Sequence, residues 1–177
     1  MTGAGELARQ LGAGERAGVG GLYVRHGPAA LALAYLLTGD RALAEDLTQE
    51  AFVRVVGRFA HLRDPEAFPA YLRKTVLNLV RSHLRRQRLE RSYLRRESQQ
   101  PREEGVEYDL DIREDLWQAL QCLPERQRFA IVLHFYEDLS EEEAAEVLRC
   151  RPGTYRSLVS RGVKALREEV QGEMQRG

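Results

Sequence analysis

The sequence predicts an all-α fold of two small helical domains, joined by a flexible acidic linker, with a helix-turn-helix in the second domain. Three observations predict it. Apolar residues recur three or four positions apart in several segments, and no segment of any length alternates with the period of two that is typical of strands. Residues 97–111 are rich in acids and poor in apolar side chains. Finally, a helix-capping pattern, a short break and a proline follow one another in the last third of the chain.

A chain of 177 residues can form one domain or two small ones, and the changes in composition along it favour two. We expect a flexible, glycine-rich tail over residues 1–21 and a first domain over 22–96. A linker over 97–111 and a second domain over 112–177 follow.

Three helices are predicted in the first domain. The first covers the mostly apolar segment Leu22–Leu37 and stops at Gly39. The second has an apolar stripe that repeats every four residues and an opposite face that is acidic. The stripe consists of Leu43, Leu47, Ala51, Val55 and Phe59, with Phe52 and Val56 beside it.

The third helix follows Asp64 and Pro65, which suit a cap and a first-turn proline, while Pro69 predicts an irregular start. Its apolar stripe consists of Phe68, Leu72, Val76, Leu79 and His83. The same helix carries a basic run, because Glu90 is the single acid between Arg73 and Arg96.

In the second domain, a short helix around Trp117 precedes one that opens at Leu123 and Pro124 and runs through Tyr136. Ser140 and Glu143 then have the spacing of a capping box, which starts the first helix of the helix-turn-helix.

The second helix of this motif opens at Pro152, since proline lacks the N–H that would be unpaired in a first turn. Arg156, Arg161 and Lys164 then project from it. A cationic helix in this position suits a DNA groove.

Overall charge is balanced, with 27 basic and 27 acidic residues, so any attraction to nucleic acid must come from segregated charge. The basic run of the third helix next to the acidic linker is such a segregation. Cys122 and Cys150 stand alone, and two buried structural thiols are the simpler interpretation. No metal site or cofactor is expected.

An enzyme is not expected either, because the four histidines are scattered and no phosphate loop or nucleophile motif is present. No apolar run approaches the roughly 20 residues of a membrane span, and the chain does not begin like a signal peptide. We therefore expect a cytoplasmic protein without membrane insertion.

Taken in order, several short motifs resemble those of the extracytoplasmic-function (group 4) sigma factors of RNA polymerase, in the sigma-70 family. The resemblance spans about Leu22 to Arg167. The motifs that carry it are Ala44–Phe52, Tyr71–Leu79, Arg85–Arg86, Leu123–Arg128, Ser140–Ala145 and Gly153–Ser157.

The resemblance implies that the acidic face of the second helix docks on the clamp helices of the largest polymerase subunit. The core-binding candidates are Glu45, Asp46, Gln49 and Glu50. An ordinary solvated acidic face is the alternative interpretation.

The third helix and the segment before it match the part of the family that recognises the minus-ten element and captures its non-template strand. Cations for phosphates and planar or polar groups for unstacked bases suit this role. The candidates are His61, Tyr71, Lys74, Asn78, Arg81, Arg85 and Arg86. Tyr71 stands where many relatives have Trp, and Ser82 where many have Asp. The alternatives are a core position for Tyr71 and a solvated face for the arginines.

The helix-turn-helix matches the part that recognises the minus-thirty-five element. Arginine can pair bidentately with guanine, and hydroxyls can hold phosphate. The candidates are Thr154, Arg156, Ser157, Ser160, Arg161 and Lys164, with Arg156 the strongest. Arg149 stands where glycine is usual in the turn, and Leu158 where a basic residue is frequent.

The partners that the resemblance implies are promoter DNA and the bacterial RNA polymerase core, through its clamp helices and the flap of its second-largest subunit. The existence of an anti-sigma factor stays open. The alternative function is a helix-turn-helix regulator that binds duplex DNA as a dimer and has no sigma role. The expected function is a sigma factor, which directs core polymerase to promoters and assists their opening.

Overall fold

The computed structural model describes residues 13–59, 67–93 and 114–174. Helices and their connecting turns account for all of them, with no strand in the described ranges, so the all-α prediction is confirmed. The chain divides into two compact units, Met1–Val106 and Glu107–Gly177, each described by itself.

The first unit is built from three long helices: α1 (Ala13–Thr38), α2 (Arg41–Phe59) and α3 (Phe68–Tyr93). Each of the three contacts the other two. Aromatic rings tie them together, since Phe52 of α2 lies 4.9 Å from the Tyr23 ring of α1 and 5.8 Å from the Phe68 ring of α3, between centroids. The result is a single apolar core shared by all three helices.

Helix α1 starts nine residues earlier than the sequence predicted. The prediction had a flexible tail up to residue 21, whereas the helix already begins at Ala13 and also contains Pro28. Each glycine costs a helix only about 1 kcal/mol relative to alanine. Residues 30–37, which are mostly buried, anchor the helix, and its backbone hydrogen bonds then extend towards the amino terminus. The prediction for residues 1–12 lies outside the described residues.

The turn between α1 and α2 follows the predicted chemistry. Gly39 adopts a left-handed conformation with φ 70°, and its N–H donates to the Tyr35 carbonyl over 2.8 Å. Asp40 then caps α2, because its Oδ1 accepts a hydrogen bond from the Leu43 N–H at 3.0 Å.

The predicted apolar stripes of α2 and α3 face the core. The buried members are Leu47, Ala51, Phe52, Val55, Val56, Phe68, Leu72, Val76 and Leu79. Leu43 and His83 are only half-buried. Ala67, immediately before α3, is 3₁₀-helical, in agreement with the predicted irregular start, and Pro69 lies within the first turn, where a proline removes no helical hydrogen bond. Asp64 and Pro65 lie outside the described residues.

The second unit consists of shorter helices: α4 (Glu114–Cys122), α5 (Glu125–Ile131), a π-helical turn (Val132–Tyr136), α6 (Glu141–Leu148) and α7 (Pro152–Met174). Helix α7 contacts α4, α5 and α6. The predicted capping box at the start of α6 is confirmed: the Ser140 hydroxyl accepts from the Glu143 N–H, and the Glu143 carboxylate accepts from the Ser140 N–H at 3.0 Å. Pro152 opens α7 as predicted.

The π-helical turn was not predicted. The sequence indicated a regular helix through Tyr136, but the Glu137 N–H donates to the Val132 carbonyl, five residues back, over 3.1 Å. This wider turn buries Val132 and Leu133 and leaves the side chains of residues 134–136 exposed.

Arg149 ends α6 in a left-handed conformation, with φ 47° and ψ 55°. Glycine is usual at this position because a side chain in this conformation costs about 1–2 kcal/mol. The expectation of two buried thiols was wrong, because Cys122 is exposed at the end of α4 and Cys150 is half-buried in the turn after α6.

Candidate polymerase and nucleic-acid interfaces

The acidic face of α2 is open to solvent. Asp46, Gln49 and Glu50 are exposed, and Glu45 is half-buried. Two of the carboxylates pair within the helix, Glu45 with the Arg41 Nε at 2.8 Å and Glu50 with Arg54. The exposed pair of Glu50 and Arg54 contributes less than about 1 kcal/mol, so a cation of a partner can replace Arg54 at little cost.

On α3, five of the minus-ten candidates share one face. Tyr71, Lys74, Asn78, Arg81 and Arg85 are spaced three, four, three and four residues apart, which places them within an arc of about 80°. We call these five residues the α3 face. Lys74, Asn78 and Arg85 are exposed, and Arg81 is half-buried.

Tyr71 is not a core aromatic, since 47% of the residue is exposed. That interpretation of Tyr71 is therefore wrong, and its ring is open to a stacking partner. Arg86 is exposed to one side of the face, and His61 lies outside the described residues. The face thus combines an aromatic ring, an amide and cations, which are the groups that bind single-stranded nucleic acid.

All six minus-thirty-five candidates are exposed on α7: Thr154, Arg156, Ser157, Ser160, Arg161 and Lys164. We call them the α7 face. Arg167 is exposed on the same side, three residues beyond Lys164, and was not among the predicted residues although that helical spacing is visible in the sequence. Leu158, which stands where a basic residue is frequent, is buried on the opposite side.

Within the α7 face, polar groups already have partners in this unit. The Ser157 hydroxyl donates to the Gly153 carbonyl at 2.9 Å, and the Arg161 Nε donates to the Ser157 carbonyl at 3.1 Å. Lys164 Nζ lies 3.8 Å from Glu168 Oε1. Arg156 Nε lies 2.9 Å from the Glu141 Oε2 of α6. Any ligand of the α7 face would therefore compete with these contacts or make use of them.

Tyr155 fixes the position of α7. It is fully buried, and its hydroxyl lies 3.4 Å from the Ala130 carbonyl of α5, to which it donates. Burial raises the pKa of Tyr155 to about 12, with a smaller contribution from the Glu141 carboxylate. The hydroxyl therefore stays protonated at neutral pH.

Gly162 allows α7 to approach α5 closely. A Cβ at this position would lie only 2.8 Å from Ile131 Cγ1, so the packing there requires glycine. Tyr155 and Gly162 together set which side of α7 faces the solvent.

Within the described ranges, no three His, Cys, Asp or Glu side chains come together in a way that would hold a metal ion. Nor is any helix of the described chain both long and apolar enough to span a bilayer.

Both units match known protein families. The Sigma-70 region 2 family matches residues 22–90, and the Sigma-70, region 4 family matches residues 113–166. The first match contains α2 and most of α3, and the second contains the helix-turn-helix.

Similar whole proteins are sigma factors as well. The chain is 36% identical over 150 residues to the ECF RNA polymerase sigma factor SigE of Mycolicibacterium smegmatis, in an alignment that covers 81% of this chain but 58% of that protein. It is 34% identical to the RNA polymerase sigma-E factor of Streptomyces coelicolor, over 76% of this chain and 75% of the relative.

Among solved structures, the chain is similar to the sigma factor RpoE in its complex with the anti-sigma factor NepR from Bartonella quintana. The TM-score is 0.64 at 27% identity, and the match covers 84% of this chain and 94% of the other. Region 2, region 4 and these relatives together show that the chain belongs to the extracytoplasmic-function sigma factors of the sigma-70 family.

Proposed function

We propose that this sigma factor divides promoter recognition among three surfaces: the acidic face of α2 binds core polymerase, the α3 face holds the opened minus-ten strand, and the α7 face reads the minus-thirty-five duplex. The observation that supports this most is the separation of each polar face from an apolar stripe. In α2, Asp46 and Glu50 are exposed while Leu47 and Ala51, one residue further along, are buried.

On α2, the partner would be the clamp helices of the largest polymerase subunit, whose cations would replace Arg41 and Arg54 at Glu45 and Glu50. Asp46 and Gln49 extend the same acidic face of α2. Because the contact between α2 and the clamp helices is between exposed charges, it should be fast to form and sensitive to salt. Region 4 would contact the flap of the second-largest subunit.

The chemistry of the α3 face supports strand capture. A half-exposed tyrosine can stack on an unpaired base, and Lys74 and Arg85, further along the same helix face, can contact phosphates of that strand. Binding energy that exists only with the unpaired strand shifts the closed-to-open equilibrium towards the open complex. No nucleotide hydrolysis is needed for such a shift.

The α7 face supports duplex recognition because Arg156 lies in the first turns of the second helix of the helix-turn-helix, where base edges are usually contacted. Lys164 lies about two turns later, closer to where the helix approaches phosphates. The Bartonella relative was solved with an anti-sigma factor. We extend the proposal to an anti-sigma partner for this chain, and to action in the cytoplasm, where the polymerase is.

The test is transcription from a promoter library with purified core polymerase. We expect initiation at a defined set of promoters only when the protein is added. Replacing Asp46 and Glu50 by lysine should abolish this and weaken core binding without DNA, while circular dichroism stays native.

A matched control reverses Glu142 and Glu146, which are exposed, four residues apart and on α6. This control changes the net charge equally and should keep core affinity. Specific duplex binding as a dimer without core, together with no initiation, would instead support the helix-turn-helix regulator.

A further inference from the structure

Glu141 and Arg156 are joined across the helix-turn-helix. Glu141 occupies the first turn of α6 and Arg156 the second turn of α7, and Oε2 of the first lies 2.9 Å from Nε of the second. Neither side chain is buried, with 40% of the Glu141 side chain and 67% of the Arg156 side chain exposed. The contact is therefore an open ion pair at the edge of the α7 face.

Stability does not account for this pair. Exposed ion pairs contribute little to stability and lose part of that contribution in salt. A carboxylate next to the DNA-facing surface also repels phosphates, which weakens binding. The pair therefore contributes little to folding, whereas the Glu141 carboxylate weakens DNA binding electrostatically.

The geometry does suit base recognition. Guanidinium has five N–H donors in a rigid plane, and the bond to Glu141 occupies the one on Nε. The two terminal nitrogens, Nη1 and Nη2, keep their donors for O6 and N7 of guanine, which accept a bidentate pair. Fixing Nε also fixes the plane of the fork, so the arginine loses less rotamer freedom when it binds.

We propose that Glu141 is a specificity-determining residue that positions Arg156 for end-on reading of one guanine in the minus-thirty-five element, at the expense of general affinity for DNA. This inference rests on the proposed role of the α7 face. Glu141 acts through Arg156 and touches no base itself.

The test measures holoenzyme affinity for a promoter and for its single-base variants across the minus-thirty-five element, with four proteins: unaltered, Glu141→Ala, Glu141→Gln and Glu142→Ala. Glu142 is the matched control because it is an exposed acid in the same first turn of α6. Its removal changes the net charge and the charge at the helix start in the same way.

For Glu141→Ala, we expect the preference at one base pair to fall about two- to tenfold, in proportion to a lost exposed ion pair that DNA partly desolvates. Affinity for unrelated duplex DNA should rise. Glu141→Gln, which keeps an acceptor for the Nε donor, should restore much of the preference. Glu142→Ala should raise general affinity alone.

A double-mutant cycle provides the second readout. In an Arg156→Ala background, Glu141→Ala should no longer change the ranking of base variants, because no fork remains to be positioned. If Glu141→Ala keeps the full base preference while the holoenzyme still initiates at specific promoters, the positioning role is overturned and the sigma function stands. If no protein initiates at any promoter, the proposed function itself fails.

Discussion

The two cationic helices of this protein differ in how their charges are balanced. On α3, the cations of the α3 face have no acidic residue within four positions along their own helix, because Glu90 is the single acid from Arg73 to Arg96. On α7, Arg156 is paired with Glu141 and Lys164 with Glu168. One helix concentrates positive potential, and the other partly neutralises it.

This difference matches the two tasks proposed for these helices. A strand that has just been unpaired is held through its phosphates and its exposed bases, so a cationic face with an exposed aromatic ring and no acid close by on its own helix suits it. A duplex element must be distinguished from all other duplex DNA, so general attraction is a disadvantage and neutralised cations favour discrimination.

Replacing Lys74 and Asn78 by alanine should impair promoter opening. Hydrogen bonds to charged groups contribute about 1.5–3 kcal/mol, so we expect a loss of about tenfold or more in the fraction of open complex. Permanganate reactivity of promoter thymines measures opening, and filter binding at low temperature measures the closed complex. Equal losses in both would mean that this face merely holds duplex phosphates.

Arg156→Ala should reduce discrimination within the minus-thirty-five element. Loss of one bidentate arginine contact costs about 1–3 kcal/mol at the preferred sequence and flattens the choice at one base pair. Holoenzyme binding to single-base promoter variants measures it. An unchanged ranking of the variants would remove Arg156 as a base reader, and Lys74→Ala, on the other cationic helix, is the control that should leave the ranking intact.

The left-handed turns of the two units predict opposite effects on stability. Gly39 has φ 70° without strain, whereas Arg149 has φ 47° with a side chain. Arg149→Gly should therefore stabilise the protein by about 0.5–1 kcal/mol, after the greater entropy of unfolded glycine is subtracted, and Gly39→Ala should destabilise it by about 1 kcal/mol. Urea unfolding followed by circular dichroism measures both, and a destabilising Arg149→Gly would contradict the strain argument.

We expect the smallest difference between the two helices in the salt dependence of nucleic-acid binding. Lys74→Ala should lower the slope of log affinity against log salt by about 0.7 for a single-stranded minus-ten oligonucleotide. Lys164→Ala should lower the slope for a minus-thirty-five duplex by less than the full value of about 0.9, because Glu168 already competes for its charge. The double variant, with Lys164 and Glu168 both replaced by alanine, should have the same slope as the unaltered protein. A decrease by the full value of about 0.9 for Lys164→Ala alone would show that the pairing with Glu168 is unimportant.

Features with a local cause were predictable from the sequence. Three of these features act within a few residues, so the amino-acid sequence alone indicates them: the capping box at Ser140 and Glu143, the glycine stop at Gly39 and the first-turn Pro152. The apolar stripes of α2 and α3 were predictable for a similar reason, since helical spacing decides which side faces the core.

Features that depend on packing were not predictable. The early start of α1 at Ala13 runs against the glycines there, and the π-helical turn at Val132 accompanies the burial of two neighbouring side chains, Val132 and Leu133. The spacing of apolar residues in the sequence indicates neither of these two features. The ion pair of Arg156 and Glu141 joins residues of different helices, so both charges could be read from the sequence but their contact could not.

The division of labour between the two cationic helices is tested most directly by binding the same holoenzymes to two oligonucleotides. One is the single non-template strand of the minus-ten element, and the other is a duplex of the minus-thirty-five element. We expect Lys74→Ala with Asn78→Ala to lose affinity for the single strand alone, and Arg156→Ala to lose affinity for the duplex alone. Equal losses of both variants on both oligonucleotides would show that the two helices do not divide these tasks.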